Sequence, residues 1–320
     1  MKLATFRQDG KKNLGIVWGE RIIDLNEGHR LFMKQQGQPG EPLPDLDMKG
    51  FLSQGPTALK VATRIKTWVQ EQVREESDVP AELQSVLLDL DKAKILAPIS
   101  NPPKILCLAR NYVSHIREVS EDAQLPKNLL VFMKPSTAII GPGDSVVVPP
   151  DCEKLDHEVE LAVVIGKKGR YIPKGLAMDH VAGYTVFNDI SDRGHLLQEE
   201  TQRVNWFCMK AQDTFAPMGP YIVLTDEIQD PHLLRLRLWV NGELRQDSSG
   251  EEMIFKIPRI IAEISRFVTL EPGDVISTGT PTGTSFSTKK YLAAGDVVEC
   301  EVEGIGLLRN SIKVEEPVYR

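Results

Sequence analysis

Apolar residues recur at helical spacing in two clear places along the chain. Between Ala58 and Val73, the residues Val61, Ala62, Ile65, Trp68 and Val69 predict one amphipathic helix. From about Pro258 to Val268, the residues Ile260, Ile261, Ile264 and Phe267 fall on one face of a second, with Pro258 in its first turn. Elsewhere the apolar positions come in short β-type runs separated by Gly and Pro turns. Val146–Val148, Leu161–Ile165, Val181–Phe187, Leu236–Val240 and Val297–Val302 are such runs. Near the start, Ile16–Leu25 predicts two short strands around a turn at Gly19–Glu20. The segment 37–44, rich in Gly and Pro, predicts a loop.

Regular structure breaks at Ala97–Pro103, and the character of the chain changes there. The expectation is a small accessory domain over 1–97 and a larger domain over 98–320. The larger part lacks the strand–helix alternation of a parallel sheet, so the fold class expected is α+β and rich in β. There is no internal repeat.

Composition narrows the functional classes. A formal net charge of −7 disfavours a nucleic-acid-binding surface. No apolar run is long enough to span a membrane, and the first residues lack an apolar signal core. The four cysteines are scattered with no CxxC pair, which fits free thiols in a reducing compartment and disfavours zinc. A cytoplasmic location is the expectation.

The chemistry-bearing residues begin with Glu158 and Glu160, which open an otherwise apolar run to Ile165. Residues two apart on a strand point to one face, so the carboxylates would stand side by side. Buried together they require a proton, a cationic side chain or a metal. Asp189 ends a second strand-like run, and the three together suggest an all-oxygen cradle for Mg²⁺ or Mn²⁺, or for Ca²⁺. An exposed strand edge is the plainer alternative for the two glutamates. His157, between them and Asp156, would point to the opposite face.

Three other groups stand out. His115 and Glu118 are neighbours on a helical turn, either a general base oriented by a carboxylate or an exposed pair at a helix end. Arg193 and Lys210 would bind an anion or stabilise an oxyanion near a metal, although solvated surface charge is the default. The Gly- and Thr-rich segment 270–284 suits a carboxylate or forms a plain turn, and it lacks the lysine of a nucleotide-binding P-loop.

Taken in order, these segments resemble the fumarylacetoacetate hydrolase family. The pieces are RNYVSHIRE at 110–118, FMKPSTAIIGPGDSVVVPP at 132–150, DHEVELAVVIGKKG at 156–169 and GYTVFNDISDR at 183–193. KAQDTFAPMGP at 210–220, WVNGELRQ at 239–246 and EPGDVISTGTPTG at 271–283 follow.

The resemblance implies a rolled mixed β-sheet catalytic domain with a smaller N-terminal domain, usually as a homodimer. It places metal ligands on Glu158, Glu160 and Asp189, and catalysis on His115, Glu118 and Lys210. Substrate contacts fall on Arg110, Tyr112, Arg193 and Thr280. It further implies a small anionic 2-oxo acid as substrate, with no nucleic-acid or membrane partner. The activity expected is metal-dependent hydrolysis of a C–C bond in an acylpyruvate-like acid, as in aromatic catabolism, with His115–Glu118 activating water. Isomerase, hydratase or oxaloacetate-type decarboxylase activity is the alternative within the family, and a catalytically silent metal-binding protein is the alternative outside enzymes. The segment from His115 to about Lys127 reads as a lid. Gly194, Leu196, the displaced Gln198 and the stretch 284–287 depart from the family pattern and bear on the substrate.

Overall fold

A computed structural model describes residues 1–37, 47–73, 79–195 and 203–316. Its core is a 12-stranded mixed sheet. Along its main path the order runs Leu87–Asp89, Arg21–Asp24, Lys11–Trp18, Lys2–Gln8, Ala216–Leu224, Val181–Asn188, Val159–Ile165, Val275–Ser277, Ile105–Ala109 and Leu130–Lys134. Most neighbours are antiparallel, but Val275–Ser277 lies parallel to Ile105–Ala109. A separate 5-stranded sheet contains Glu243–Ser249, Arg235–Val240, Val297–Val302, Gly306–Val314 and Ser145–Val148.

The strand Val159–Ile165 shows how the layers form. All of its residues are buried, which a strand covered on both faces requires. Val159, Leu161, Val163 and Ile165 pack with Leu236, Leu238, Val298 and Leu308 of the smaller sheet. Ala162 and Val164 face the opposite way, into a core shared with the helices Leu25–Gln35 and Pro56–Gln72. Burying this much aliphatic surface on both sides fixes the strand's register, since a one-residue slip would exchange the two faces.

The early strands form as expected, Lys11–Trp18 and Arg21–Asp24 joined by a turn whose Gly19 adopts φ +56°. The first long helix spans Pro56–Gln72 and buries Ala62, Ile65, Trp68 and Val69. The second spans Ile257–Ile264 and ends before Phe267, whose side chain is 77% exposed. Phe267 therefore leaves the apolar face assigned to it, because the chain turns after Ser265. Of the segment 37–44, all but Gly37 lies outside the described residues. Lys2↔Val223 and Leu3↔Ile222 pair across residue 97, so one hydrogen-bonded sheet runs through both parts of the chain.

No described helix is long and apolar enough to cross a membrane.

Candidate metal centre and active site

Glu160 begins the strand face opposite the smaller sheet, and Glu158 precedes the strand by one residue. Asp189 follows Val181–Asn188, the antiparallel neighbour whose Asn188 lies opposite Val159. Two hydrogen bonds lock this junction: Glu158 N–H donates to Asn188 Oδ1 at 3.0 Å, and Asp189 N–H donates to Glu158 O at 2.9 Å. Sheet register alone thus brings the three acids together. Each offers a carboxylate oxygen, and these lie within 4.8 Å of one another.

The surrounding charges form an alternating chain. Arg193 bridges Asp156, at 2.8 Å, and Glu158. Lys210 bridges Glu158, at 2.8 Å, and Asp189, at 2.5 Å. Lys134 pairs with the other oxygen of Asp189 and donates to Ile190 O at 2.9 Å. Three cations therefore meet four carboxylates, and the unmatched one is Glu160. Its Oε2 accepts from Ser277 Oγ at 2.5 Å and from Gly279 N–H at 2.8 Å. Its Oε1 is buried with no hydrogen-bond partner.

Acid strengths follow from this pattern. Burial opposes ionisation of Glu158, yet Lys210 and Arg193 outweigh it and hold its pKa below the ordinary value. Glu160 goes the other way: burial, then the charges of Asp189 and Glu158, push its pKa well up. An orphaned carboxylate oxygen with two neighbouring carboxylates fits a hard divalent cation, and the donor set is all oxygen.

A cavity of about 380 Å³ adjoins these acids, with His115, Glu158, Arg193, Lys210 and Thr280 on its wall. His115 lies on the helix Val113–Val119, and its Nδ1 is 3.3 Å from Glu118 Oε2. Glu118 also accepts from Gly283 N–H at 2.8 Å and from Ser287 Oγ. Burial opposes its ionisation, but the bonds from His115, Ser287 and Gly283 prevail and lower its pKa. Gly283 must be glycine: its φ is +96°, and a Cβ there would lie 2.0 Å from Arg245 O. The first turns of the segment expected to be a lid are thus docked on the 280–288 loop.

Not every residue expected at the site reaches the cavity freely. Arg193 and Lys210 line it, but both are engaged by carboxylates. The Thr280 hydroxyl donates to Val159 O at 3.0 Å and accepts from Gln246 Nε2 at 3.0 Å, so it braces the strand that carries Glu160. Arg110 is exposed and lines the cavity. Tyr112 is fully buried in the core beneath the helix and lies away from the cavity wall, because its backbone bridges to Met253. His157 is buried, with Nδ1 3.4 Å from Gln246 Oε1, and points away from the acids' cluster as expected. Gly194 is exposed, whereas Leu196 and Gln198 lie outside the described residues.

Four residues of the site had no role assigned from the sequence. Lys134 sits in the FMKP segment, where a single lysine on a strand reads as a solvated charge. Asp156 accepts from Ser285 N–H at 2.5 Å and orients Arg193. Asn188 and Gln246 are neutral amides, and only their burial marks them out.

Residues 104–313 match the model of the fumarylacetoacetate hydrolase C-terminal domain. A rat protein described as mitochondrial oxaloacetate tautomerase Fahd2a is 40% identical over 85% of this chain and 81% of its own length. The oxaloacetate tautomerase YisK of Bacillus subtilis is 37% identical over 98% of this chain and 100% of its own. Among solved structures, a fumarylacetoacetate hydrolase from Exiguobacterium antarcticum superposes with a TM-score of 0.75 at 33% identity, covering 98% of this chain and 100% of that one. The maleylpyruvate hydrolase of Sphingobium sp. SYK-6, in complex with manganese(II) and pyruvate, gives 0.72 at 29% identity, covering 99% and 100%. By sequence and by fold, the chain belongs to the fumarylacetoacetate hydrolase family of enzymes.

Proposed function

We propose that this protein is a divalent-metal-dependent tautomerase that interconverts the enol and keto forms of a small 2-oxo acid of the oxaloacetate type. The observation that carries the proposal is one cavity whose wall holds both the carboxylate-held His115 and Glu158, the outermost member of the acid cluster. Relatives described as oxaloacetate tautomerases, matched over nearly the whole chain, favour this reaction over the C–C hydrolysis expected from the sequence. Tautomerisation also asks less of the site, since a proton moves between C3 and the oxygen on C2 and no water has to be positioned.

Glu158, Glu160 and Asp189 would hold Mg²⁺ or Mn²⁺. When bound, the cation polarises the 2-oxo carbonyl and favours negative charge on its oxygen. The chain's own residues supply the rest. Glu118 engages His115 Nδ1, leaving Nε2 to carry the proton to or from C3. Lys210, charged because Asp189 and Glu158 outweigh the cost of its burial, stabilises the enolate oxygen. The segment from His115 to about Lys127 acts as the lid that excludes water from this transfer.

C–C hydrolysis is the second reading, favoured by the fold shared with maleylpyruvate hydrolase and by the capacity of a His–Glu pair to activate water. The decisive experiment follows loss of enol absorbance in fresh oxaloacetate, with Mg²⁺, with Mn²⁺ and with chelator, beside cleavage of acetylpyruvate. Metal-dependent acceleration of ketonisation is expected. Cleavage of acetylpyruvate without acceleration of ketonisation would overturn the proposal in favour of hydrolysis.

A further inference from the structure

Three cationic side chains line the cavity besides His115, and they differ in what they already hold. Arg193 and Lys210 are committed to Asp156, Glu158 and Asp189. Arg110 has no ion pair or hydrogen bond to any described residue, yet it is part of the same wall. Glu158 is the single acid on that wall among the described residues, and its charge is matched by Arg193 and Lys210. Among the described residues, Arg110 therefore lines the cavity without a counter-charge of its own.

Its backbone is held for this. Arg110 adopts φ +58°, a left-handed conformation disfavoured for a residue with a Cβ. The next residue supplies the restraint. Asn111 is fully buried, its Oδ1 accepts from Phe255 N–H at 2.8 Å, and its Nδ2 donates to Thr278 O at 2.7 Å. Asn111 O accepts from Ile254 N–H at 2.8 Å as well. This anchor turns the chain sharply between the strand Ile105–Ala109 and the helix carrying His115. The turn sets Arg110 at the exposed rim, whereas Lys210 and Thr280 are buried at the inner end.

We propose that Arg110 binds the second carboxylate of a 2-oxo diacid and thereby selects diacids over 2-oxo monoacids. This rests on the reading of the site as one for 2-oxo acids. A planar guanidinium matches a carboxylate through two parallel N–H···O bonds, and here it gains that partner without giving up another. Arg110 is thus a specificity residue at the rim that holds the C4 carboxylate, while His115 moves the proton at the adjacent C3.

The test uses the metal-loaded protein and two probes, oxaloacetate and 2-oxobutanoate. Binding is followed calorimetrically, and exchange of C3 hydrogens in deuterated water is followed by NMR. Arg110→Met keeps the stem and the backbone requirement but removes the charge. It should weaken oxaloacetate binding about ten- to hundred-fold and leave 2-oxobutanoate within about two-fold. Arg110→Lys should recover part of the loss. Equal losses for both acids, or no loss for either, would overturn the assignment. If the wild type prefers the diacid in binding but exchanges neither, tautomerisation falls while the role of Arg110 stands.

Discussion

Gln246 donates a hydrogen bond from its buried side-chain amide to the hydroxyl of Thr280 at 3.0 Å. The same nitrogen reaches Pro281 O at 3.1 Å and Thr282 O at 3.2 Å, while Oε1 accepts from Val159 N–H at 3.0 Å. Val159 is the residue between the two glutamates, so one amide from the smaller sheet spaces the acid strand from the threonine loop. Gln246→Leu would leave Val159 N–H and the loop carbonyls buried without partners. Destabilisation of about 3 kcal/mol is expected in urea titrations, and a loss below about 1 kcal/mol would contradict this bracing role.

The orphaned Glu160 oxygen makes metal binding and stability inseparable. Mn²⁺ at a hundred times its dissociation constant should stabilise the wild type by about 2.7 kcal/mol, seen as a rise in Tm. Glu160→Gln keeps an oxygen to accept from Ser277 and Gly279 and should fold without that rise. The sign of the pH effect follows from burial and the adjacent charges, which raise the Glu160 pKa. A proton held to higher pH competes with the metal, so the Tm rise should grow between about pH 5.5 and about pH 8.

Glu118 behaves oppositely. Its folded pKa lies below the ordinary glutamate value, so its contribution to stability is present above that value and disappears as pH falls through the folded one. Denaturation of the wild type and of Glu118→Gln should therefore converge as pH drops from about 5 to about 3. Parallel curves across that range would show that the bonds from His115, Ser287 and Gly283 do not favour the charged form.

Lys134 has no exposed side-chain surface and holds one oxygen of Asp189. Removing one member of a buried ion pair costs about 3–5 kcal/mol. Lys134→Met should fall at the lower end, because Lys210 still contacts Asp189. Saturating Mn²⁺ should recover part of the deficit by supplying positive charge to the same carboxylate. Thermal denaturation with and without metal measures both quantities.

Local pattern made parts of this molecule legible. The spacing of Glu158 and Glu160 announced a shared direction, and the three-residue step from His115 to Glu118 announced their contact. What stayed hidden depends on long-range pairing. Nothing near Lys134 indicates that the sheet will bury it beside Asp189, fifty-five positions away. By charge alone Arg193 and Lys210 default to solvated surface, and only the fold shows them on the cavity wall beside Asp156, Glu158 and Asp189. Tyr112 stood within a motif rich in chemistry, yet its side chain is packed into the apolar core, off the cavity wall. Phe267 fitted a helical period that the chain abandons after Ser265.

The strand Lys2–Gln8 pairs along one edge with Lys11–Trp18 and at Phe6 and Arg7 with Lys94–Ile95, but on the other edge Lys2 and Leu3 find their partner only at Ala216–Leu224. On the ribosome, that edge emerges long before the strand that covers it, and its hydrogen-bonding groups must wait unpaired while the intervening chain is made. Folding of this sheet is therefore a late, closing event governed by a large loop, slow compared with its local hairpins. A truncation before residue 216 would expose a permanently open edge and drive aggregation, whether or not the acid cluster had formed.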